Sequence, residues 1–298
     1  MKSADIAQCT VLTGHGTRND FVLILGPDAS TAPASLSAAQ VSALCSHEAG
    51  LGVDGGAADG LIRCVPPGSQ GHDSLWFMDY RNADGSLAQM CGNGARVFVR
   101  AILQAGFVSA DATGRLRIAT RAGEHAVTVN ADQTITVDMG AAELPSMSAP
   151  PLVSVPDGAG PWPATAVLMP NPHAVVFVES LDQAGALTTA PTVQPAGAFP
   201  DGVNTEFVAI TGVDRLAMRV FERGVGETSS CGTGACAAVV AARLHTGAES
   251  PASWSVTVPG GELIVRQRAD GIDLTGPAVI TSEVPEARVA QILAAVTA

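Results

Sequence analysis

Lysine is almost absent from this chain: among 298 residues it occurs only as Lys2. No internal lysine exists to hold pyridoxal phosphate as a Schiff base, which excludes the commonest cofactor chemistry on amino acids. The six cysteines, Cys9, Cys45, Cys64, Cys91, Cys231 and Cys236, contain no Cys-x-x-Cys pair, so no structural zinc site is expected. No apolar run approaches the ~20 residues of a membrane helix. Met1-Lys2-Ser3-Ala4-Asp5 lacks the charged-then-apolar order of a secretory signal. The expectation is a cytoplasmic protein with no membrane partner, in which six cysteines are not a disulfide framework. Basic residues are scarce as well, 16 against 28 acidic ones. The resulting charge of −12 repels phosphate backbones, so no nucleic-acid partner is expected.

What is present suffices for two ordinary cores, since 47% of the residues are hydrophobic. Strand-like runs dominate: Phe21–Leu25, Leu75–Met78, Ala126–Val129, Thr134–Val137, Ala174–Val178, Glu206–Ile210, Ala217–Phe221, Ser255–Val258 and Glu262–Val265. Asn130-Ala131-Asp132-Gln133 and Gly260-Gly261 read as hairpin turns. Ser37-Ala38-Ala39-Gln40 is a capping box opening a helix to about Glu48. Further helices are expected over Gly94–Gln104, Gly234–Leu244 and Glu286–Val296, and loops over Asp157–Pro163 and Thr188–Ala198.

Two of these helices share an opening. Cys91-Gly92-Asn93-Gly94-Ala95 leads into one and Cys231-Gly232-Thr233-Gly234-Ala235 into the other, with the cysteines 140 residues apart. That repetition points to an internal duplication. The helix after Cys231 is apolar on every side, and the one after Cys91 keeps only a stripe of Arg96, Arg100 and Gln104. Helices so apolar must be enclosed, here by strands.

The pentads carry chemistry. The first N–H groups of a helix have no internal partner and form the positive end of its dipole. Glycines admit a ligand close to the backbone. Such a terminus binds a carboxylate and is expected to lower the pKa of a thiol placed there. Cys45 and Cys236, inside helices, read as core residues, and Cys9 and Cys64 as strand residues without a functional signal. Two thiols serving one substrate carbon suggest proton abstraction from one face and delivery to the other, with no cofactor. The helix termini would stabilise negative charge that develops on the α-carboxylate.

Further segments extend the pattern: His15-Gly16-Thr17-Arg18-Asn19-Asp20-Phe21, Ala58-Asp59-Gly60, Asn82-Ala83-Asp84-Gly85-Ser86, Asn171-Pro172-His173, Phe199-Pro200-Asp201-Gly202-Val203-Asn204, Glu222-Arg223-Gly224-Val225-Gly226-Glu227-Thr228 and Pro259-Gly260-Gly261. In these residues, and in their order, the chain resembles the diaminopimelate epimerase family. The resemblance implies an α+β fold of two pseudo-symmetric halves, each a mixed β-barrel wrapped around a central helix. The halves are expected at 1–134 with 277–298, carrying Cys91, and at 135–276, carrying Cys231. It implies conversion of LL- to meso-diaminopimelate without a cofactor or metal, in the cytoplasm, by a homodimer.

Residue by residue, Cys91 and Cys231 match the family's acid and base, and His173 and Glu222 match groups flanking the reacting centre. Gly92, Asn93, Gly232 and Thr233 match the cradle of the reacting carboxylate. Asn19, Asn82, Asn171 and Asn204 match side-chain contacts to substrate; Glu222 belongs to that contact set too, and Arg223 matches the partner of the distal carboxylate. His47, His72, His125 and His245 match nothing. The chain departs from the pattern at Arg18 and Pro170, where the family usually has glycine. In the extended stretch from Gly50 to Gly60, Asp59 rather than Asp54 continues the match. A proline or hydroxyproline racemase is the alternative, and a dithiol redox protein a further one. Arg223 and the asparagines speak against the racemase, because proline has no distal charged group.

Overall fold

A computed structural model describes residues 5–68, 74–156, 159–247 and 249–297. Lys2, His72, Asp157 and Gly158 lie outside the described residues. The chain forms two compact units, one within Met1–Val137 and Gly276–Ala298, the other within Asp138–Thr275.

The first unit begins with β1 (Thr10–Gly16), β2 (Asn19–Leu25), α1 (Ala38–Cys45), β3 (Gly60–Val65) and β4 (Trp76–Asn82). Then come α2 (Gly92–Gln104), β5 (Arg115–Thr120), β6 (Gly123–Val129) and β7 (Ile135–Asp138) at the boundary. The second unit holds β8 (Leu152–Ser154), β9 (Trp162–Leu168), β10 (Pro172–Phe177), β11 (Thr192–Gln194), β12 (Asn204–Gly212), β13 (Arg215–Glu222) and β14 (Gly226–Thr228). It continues with α3 (Gly232–Thr246), β15 (Ser253–Val258), β16 (Gly261–Gln267) and β17 (Ile272–Gly276). The chain then returns to the first unit as β18 (Val279–Glu283) and α4 (Glu286–Thr297).

The strand pairings repeat. In the first unit β1–β2 is antiparallel, β2–β3 parallel, β3–β4 antiparallel, β4–β5 parallel, and β5–β6–β7 antiparallel. In the second, β9–β10, β10–β12, β12–β13, β13–β15 and β15–β16–β17 follow the same alternation. The duplication read from two pentads is thus a duplication of the whole topology. In each unit a helix packs against the strands: α2 against β1–β4 and β18, α3 against β9, β10, β12, β13 and β16. Ten residues of each helix are buried, which is why both are apolar nearly all round.

The structure corrects several expectations. Both helices begin two residues earlier, at Gly92 and Gly232, because the cysteine itself is the N-cap. Trp162 and Pro163, which open β9, and Thr192–Gln194 are in strands where loops were expected, because β8 pairs with both segments. The second hairpin turns at Pro259 and Gly260 rather than Gly260 and Gly261, because Gly261 already pairs with Val258. Arg96 is not a solvent stripe. It is fully buried and donates to the carbonyls of Pro277 and Gly92 and to Thr17 Oγ1 at 3.2–3.4 Å. The capping box at Ser37 forms with Gln40, opening α1. Among the described residues no helix is long and apolar enough to cross a membrane.

Cys45 closes α1 inside a cluster with Val22, Leu44 and Leu293. Burial pushes its thiol up to about 12, and pushes Cys64, within β3, up as well. A thiol that stays neutral in the folded chain while it ionises in the unfolded one leaves stability intact below pH ~8.5 and erodes it above. Cys45 alone then costs about 1.4 kcal/mol per pH unit between the two pKa values. Urea unfolding at stepped pH should show this alkaline loss, and Cys45→Ala should make it shallower by that amount. Identical slopes in the two proteins would contradict the assignment.

Candidate active site

In the first unit Cys91 has extended backbone (φ −140°, ψ 121°) and caps α2, its Sγ accepting from the Gly94 N–H at 3.4 Å. The thiol is half-buried and points toward Asn19 Oδ1 at 3.6 Å. That oxygen also accepts from Asn93 Nδ2 at 3.2 Å, while Asn19 Nδ2 donates to Asp59 Oδ2 at 2.7 Å. The same Asp59 oxygen takes the Asp20 N–H, so Asp59 holds Asn19 in place. Asp54 is instead at the surface, beside Arg18 at 3.3 Å.

Asn19 follows a two-residue turn, because Gly16 is the last residue paired with it. Thr17 and Arg18 sit there at φ +52° and +57°. Such a hairpin turn needs positive φ at both positions, which explains why glycine suits position 18 and shows that arginine keeps the same backbone there. Asn82 ends β4 on the exposed side, its amide bonded to Ser86 Oγ at 3.0 Å.

In the second unit Cys231 repeats the capping geometry (φ −118°, ψ 115°), with the Gly234 N–H 3.4 Å from its Sγ. Thr233 Oγ1 lies 3.4 Å from the same sulfur. Unlike Cys91, Cys231 is buried. The expected lowering of its pKa is overturned: burial first, then the carboxylates of Glu222 and Glu206, push the thiol well up. The contacts with Thr233 and the Gly234 N–H oppose this and do not prevail.

His173 is fully buried in β10, with Nδ1 2.6 Å from Glu206 Oε1 and Nε2 3.0 Å from Asn171 Oδ1. Asn204 spends its amide on the backbone, donating to the Pro172 carbonyl at 3.2 Å and accepting from the Arg223 N–H at 2.9 Å. It thereby fixes the strand end that carries Arg223. The exposed guanidinium of Arg223 donates to the Asp201 carbonyl at 2.7 Å. Glu222 Oε1 accepts from Thr228 Oγ1 at 2.5 Å.

Within the first unit the structure therefore gathers Cys91, Gly92, Asn93 and Asn19, with Asn82 apart on the exposed turn. Within the second it gathers Cys231, Gly232, Thr233, Glu222, His173 and Asn171. Glu206 was not expected here; its only signal was a carboxylate inside an otherwise apolar strand, Glu206-Phe207-Val208-Ala209-Ile210. Of the unmatched histidines, His245 stacks on Phe177 with ring centroids 4.5 Å apart.

A family model described as diaminopimelate epimerase matches residues 11–145 and 165–281 of this chain. The chain belongs to the diaminopimelate epimerase family. It is 49% identical to the diaminopimelate epimerase of Streptomyces coelicolor, over 91% of this chain and 93% of that protein. The diaminopimelate epimerase of Thermobifida fusca is 42% identical, over 91% and 95% of the two chains. Among solved structures, a probable proline racemase from Agrobacterium radiobacter has TM-score 0.63 at 16% identity, covering 93% of this chain and 92% of that one. A hydroxyproline epimerase from Agrobacterium vitis has TM-score 0.59 at 13% identity, over 93% and 90%. At such identities these two share the fold and carry no argument about substrate.

Proposed function

We propose that this protein epimerises LL-diaminopimelate to meso-diaminopimelate by a two-base mechanism, with Cys91 and Cys231 as base and acid and no cofactor. The observation that carries the reading is the pair of cysteine-capped helix starts, one per unit, in a chain of this family. One thiolate removes the α-proton and the other thiol delivers a proton to the opposite face of the carbanion. The N–H groups of Gly92 and Asn93, and of Gly232 and Thr233, stand outside their helix ladders. They are assigned the α-carboxylate, whose charge grows as the proton leaves. A buried Cys231 flanked by carboxylates stays protonated at neutral pH, which suits a proton donor.

Asn19, Asn82, Asn171 and Asn204 are assigned to the substrate's amino and carboxylate groups, either directly or by holding their neighbours. His173 and Glu222 are assigned to the surroundings of the reacting carbon. Cytoplasmic location, a homodimeric state and a place on the route to lysine and cell-wall peptide belong to the same proposal. The test is incubation with LL-diaminopimelate in deuterium oxide without added cofactor. Inversion with deuterium at the α-carbon supports it, and no inversion refutes it.

Arg223 is assigned the distal carboxylate, which a guanidinium grips through two parallel N–H bonds and an ammonium cannot. Arg223→Lys is expected to lower kcat/KM for LL-diaminopimelate by about 2–4 kcal/mol of transition-state binding. Wild-type protein should leave L-proline and L-lysine untouched, since neither carries a second carboxylate. Comparable turnover of L-proline would favour the racemase alternative.

A further inference from the structure

The duplicated topology permits a position-by-position comparison of the two thiols. Asn82 and Glu222 each stand nine residues before their cysteine. Asn82 pairs with Gly60 across β3–β4; across β12–β13, Thr205 pairs with Phe221, which places Glu222 beside Asn204. Two residues beyond Gly60 is Ile62, and two beyond Asn204 is Glu206. Packing confirms the equivalence. A methyl group added to Gly94 would meet Ile62 Cδ1 at 3.2 Å, and one added to Gly234 would meet Glu206 Oε1 at 2.8 Å. Thus the first turn of α2 rests on a hydrocarbon and the first turn of α3 rests on a carboxylate.

That carboxylate is an unusual occupant. Glu206 has no exposed surface, and its Oε2 finds no hydrogen-bond donor among the described residues. A buried, half-satisfied carboxylate is costly and is out of place in a strand whose equivalent carries isoleucine. The groups facing it are His173 on β10 and Cys231 on α3, with Glu222 on β13 acting on the same thiol.

A two-base reaction needs its thiols unequal at rest, one protonated and one not, although the duplication makes their caps alike. We propose that Glu206 is a positioning residue that supplies this inequality: paired with His173, it holds its carboxylate beneath the cap of Cys231 and so makes Cys231 the resting proton donor. The role rests on the two-base reading above. It also extends outward, since the His173 ring held by Glu206 orients Asn171 through Nε2.

The experiment measures the ionisation of Cys231 directly, as the difference in ultraviolet thiolate absorbance between protein with Cys231 and its Cys231→Ser counterpart, titrated with alkali. Glu206→Gln keeps the shape and a hydrogen bond to His173 but removes the charge. The expected result is a midpoint for Cys231 lower by about one pH unit or more. Glu206→Asp, which retains the charge, should stay near wild type. An unchanged midpoint in Glu206→Gln overturns the proposal. A second measurement needs no change at Glu206. In the otherwise unmodified protein the ¹⁵N resonances of the His173 ring should step at the pH where Cys231 ionises, and the step should vanish in Cys231→Ser. Absence of that step also overturns the proposal. Neither readout uses turnover, so a failure of the epimerase reading would appear separately, as wild-type protein that does not invert LL-diaminopimelate.

Discussion

Replacing Cys91 or Cys231 by alanine is expected to reduce epimerisation on the order of 10⁴-fold, the upper range for loss of a positioned acid or base. In the proposed mechanism each thiol serves one face of the α-carbon, so either loss stops inversion, and removing both should cost little more than removing one. The fold should survive. Each cap accepts one N–H, from Gly94 or Gly234, at 3.4 Å, and a lost cap of this kind costs about 1 kcal/mol. Inversion of LL-diaminopimelate, followed by the stereochemistry of the product, is the measurement, with circular dichroism as the control on folding. Near-normal inversion by either folded variant would end the two-base mechanism.

The largest expected effect on stability lies away from both cysteines. Asp79 in β4 and Arg63 in β3 are direct partners in the register and are almost fully buried, with Arg63 Nη1 2.5 Å from Asp79 Oδ2. Arg63 also donates to the carbonyls of Ala34 and Pro33 at 2.7 and 2.8 Å, and Arg121 pairs with the other Asp79 oxygen. Asp79→Ala strands a buried guanidinium and should destabilise the protein by about 3–5 kcal/mol. Joint replacement by apolar residues, Asp79→Leu with Arg63→Met, should recover part of that loss, because the fully buried guanidinium is then gone, while the more accessible Arg121 keeps the carbonyls of Tyr80 and Ala88 as partners. Urea unfolding checks both variants. A loss below ~1 kcal/mol for Asp79→Ala would show that Arg63 relaxes to water.

Much of the site was legible because its signals are local. A cysteine before two spaced glycines and an apolar run specifies a helix start within five residues, and both starts form, two residues earlier than read, with the cysteine as the cap. The Ser37–Gln40 capping box and the Asn130–Gln133 turn are local in the same way, and both are present. What escaped depends on contacts between distant residues. Arg96 read only as part of a polar stripe because helical spacing alone cannot reveal that Pro277 lies beside it. Trp162 and Pro163 looked like the end of a loop because proline weighs against a strand, until pairing with β8 draws them into β9.

The sequence by itself determined the family, the duplicated cysteine pentads and the apolar helices behind them, since these rest on residues adjacent in the chain. Only the tertiary structure decided the state of Cys231. Both cysteines stand at helix starts that favour an anion, and by that local rule both should be acidic. Desolvation depends on what the fold packs around each sulfur, and a carboxylate 25 residues upstream of Cys231 enters its surroundings only when β12 is laid under α3. For Cys231, burial first, then the carboxylates of Glu222 and Glu206, outweigh the helix start, so its thiol is raised where the local pattern said lowered.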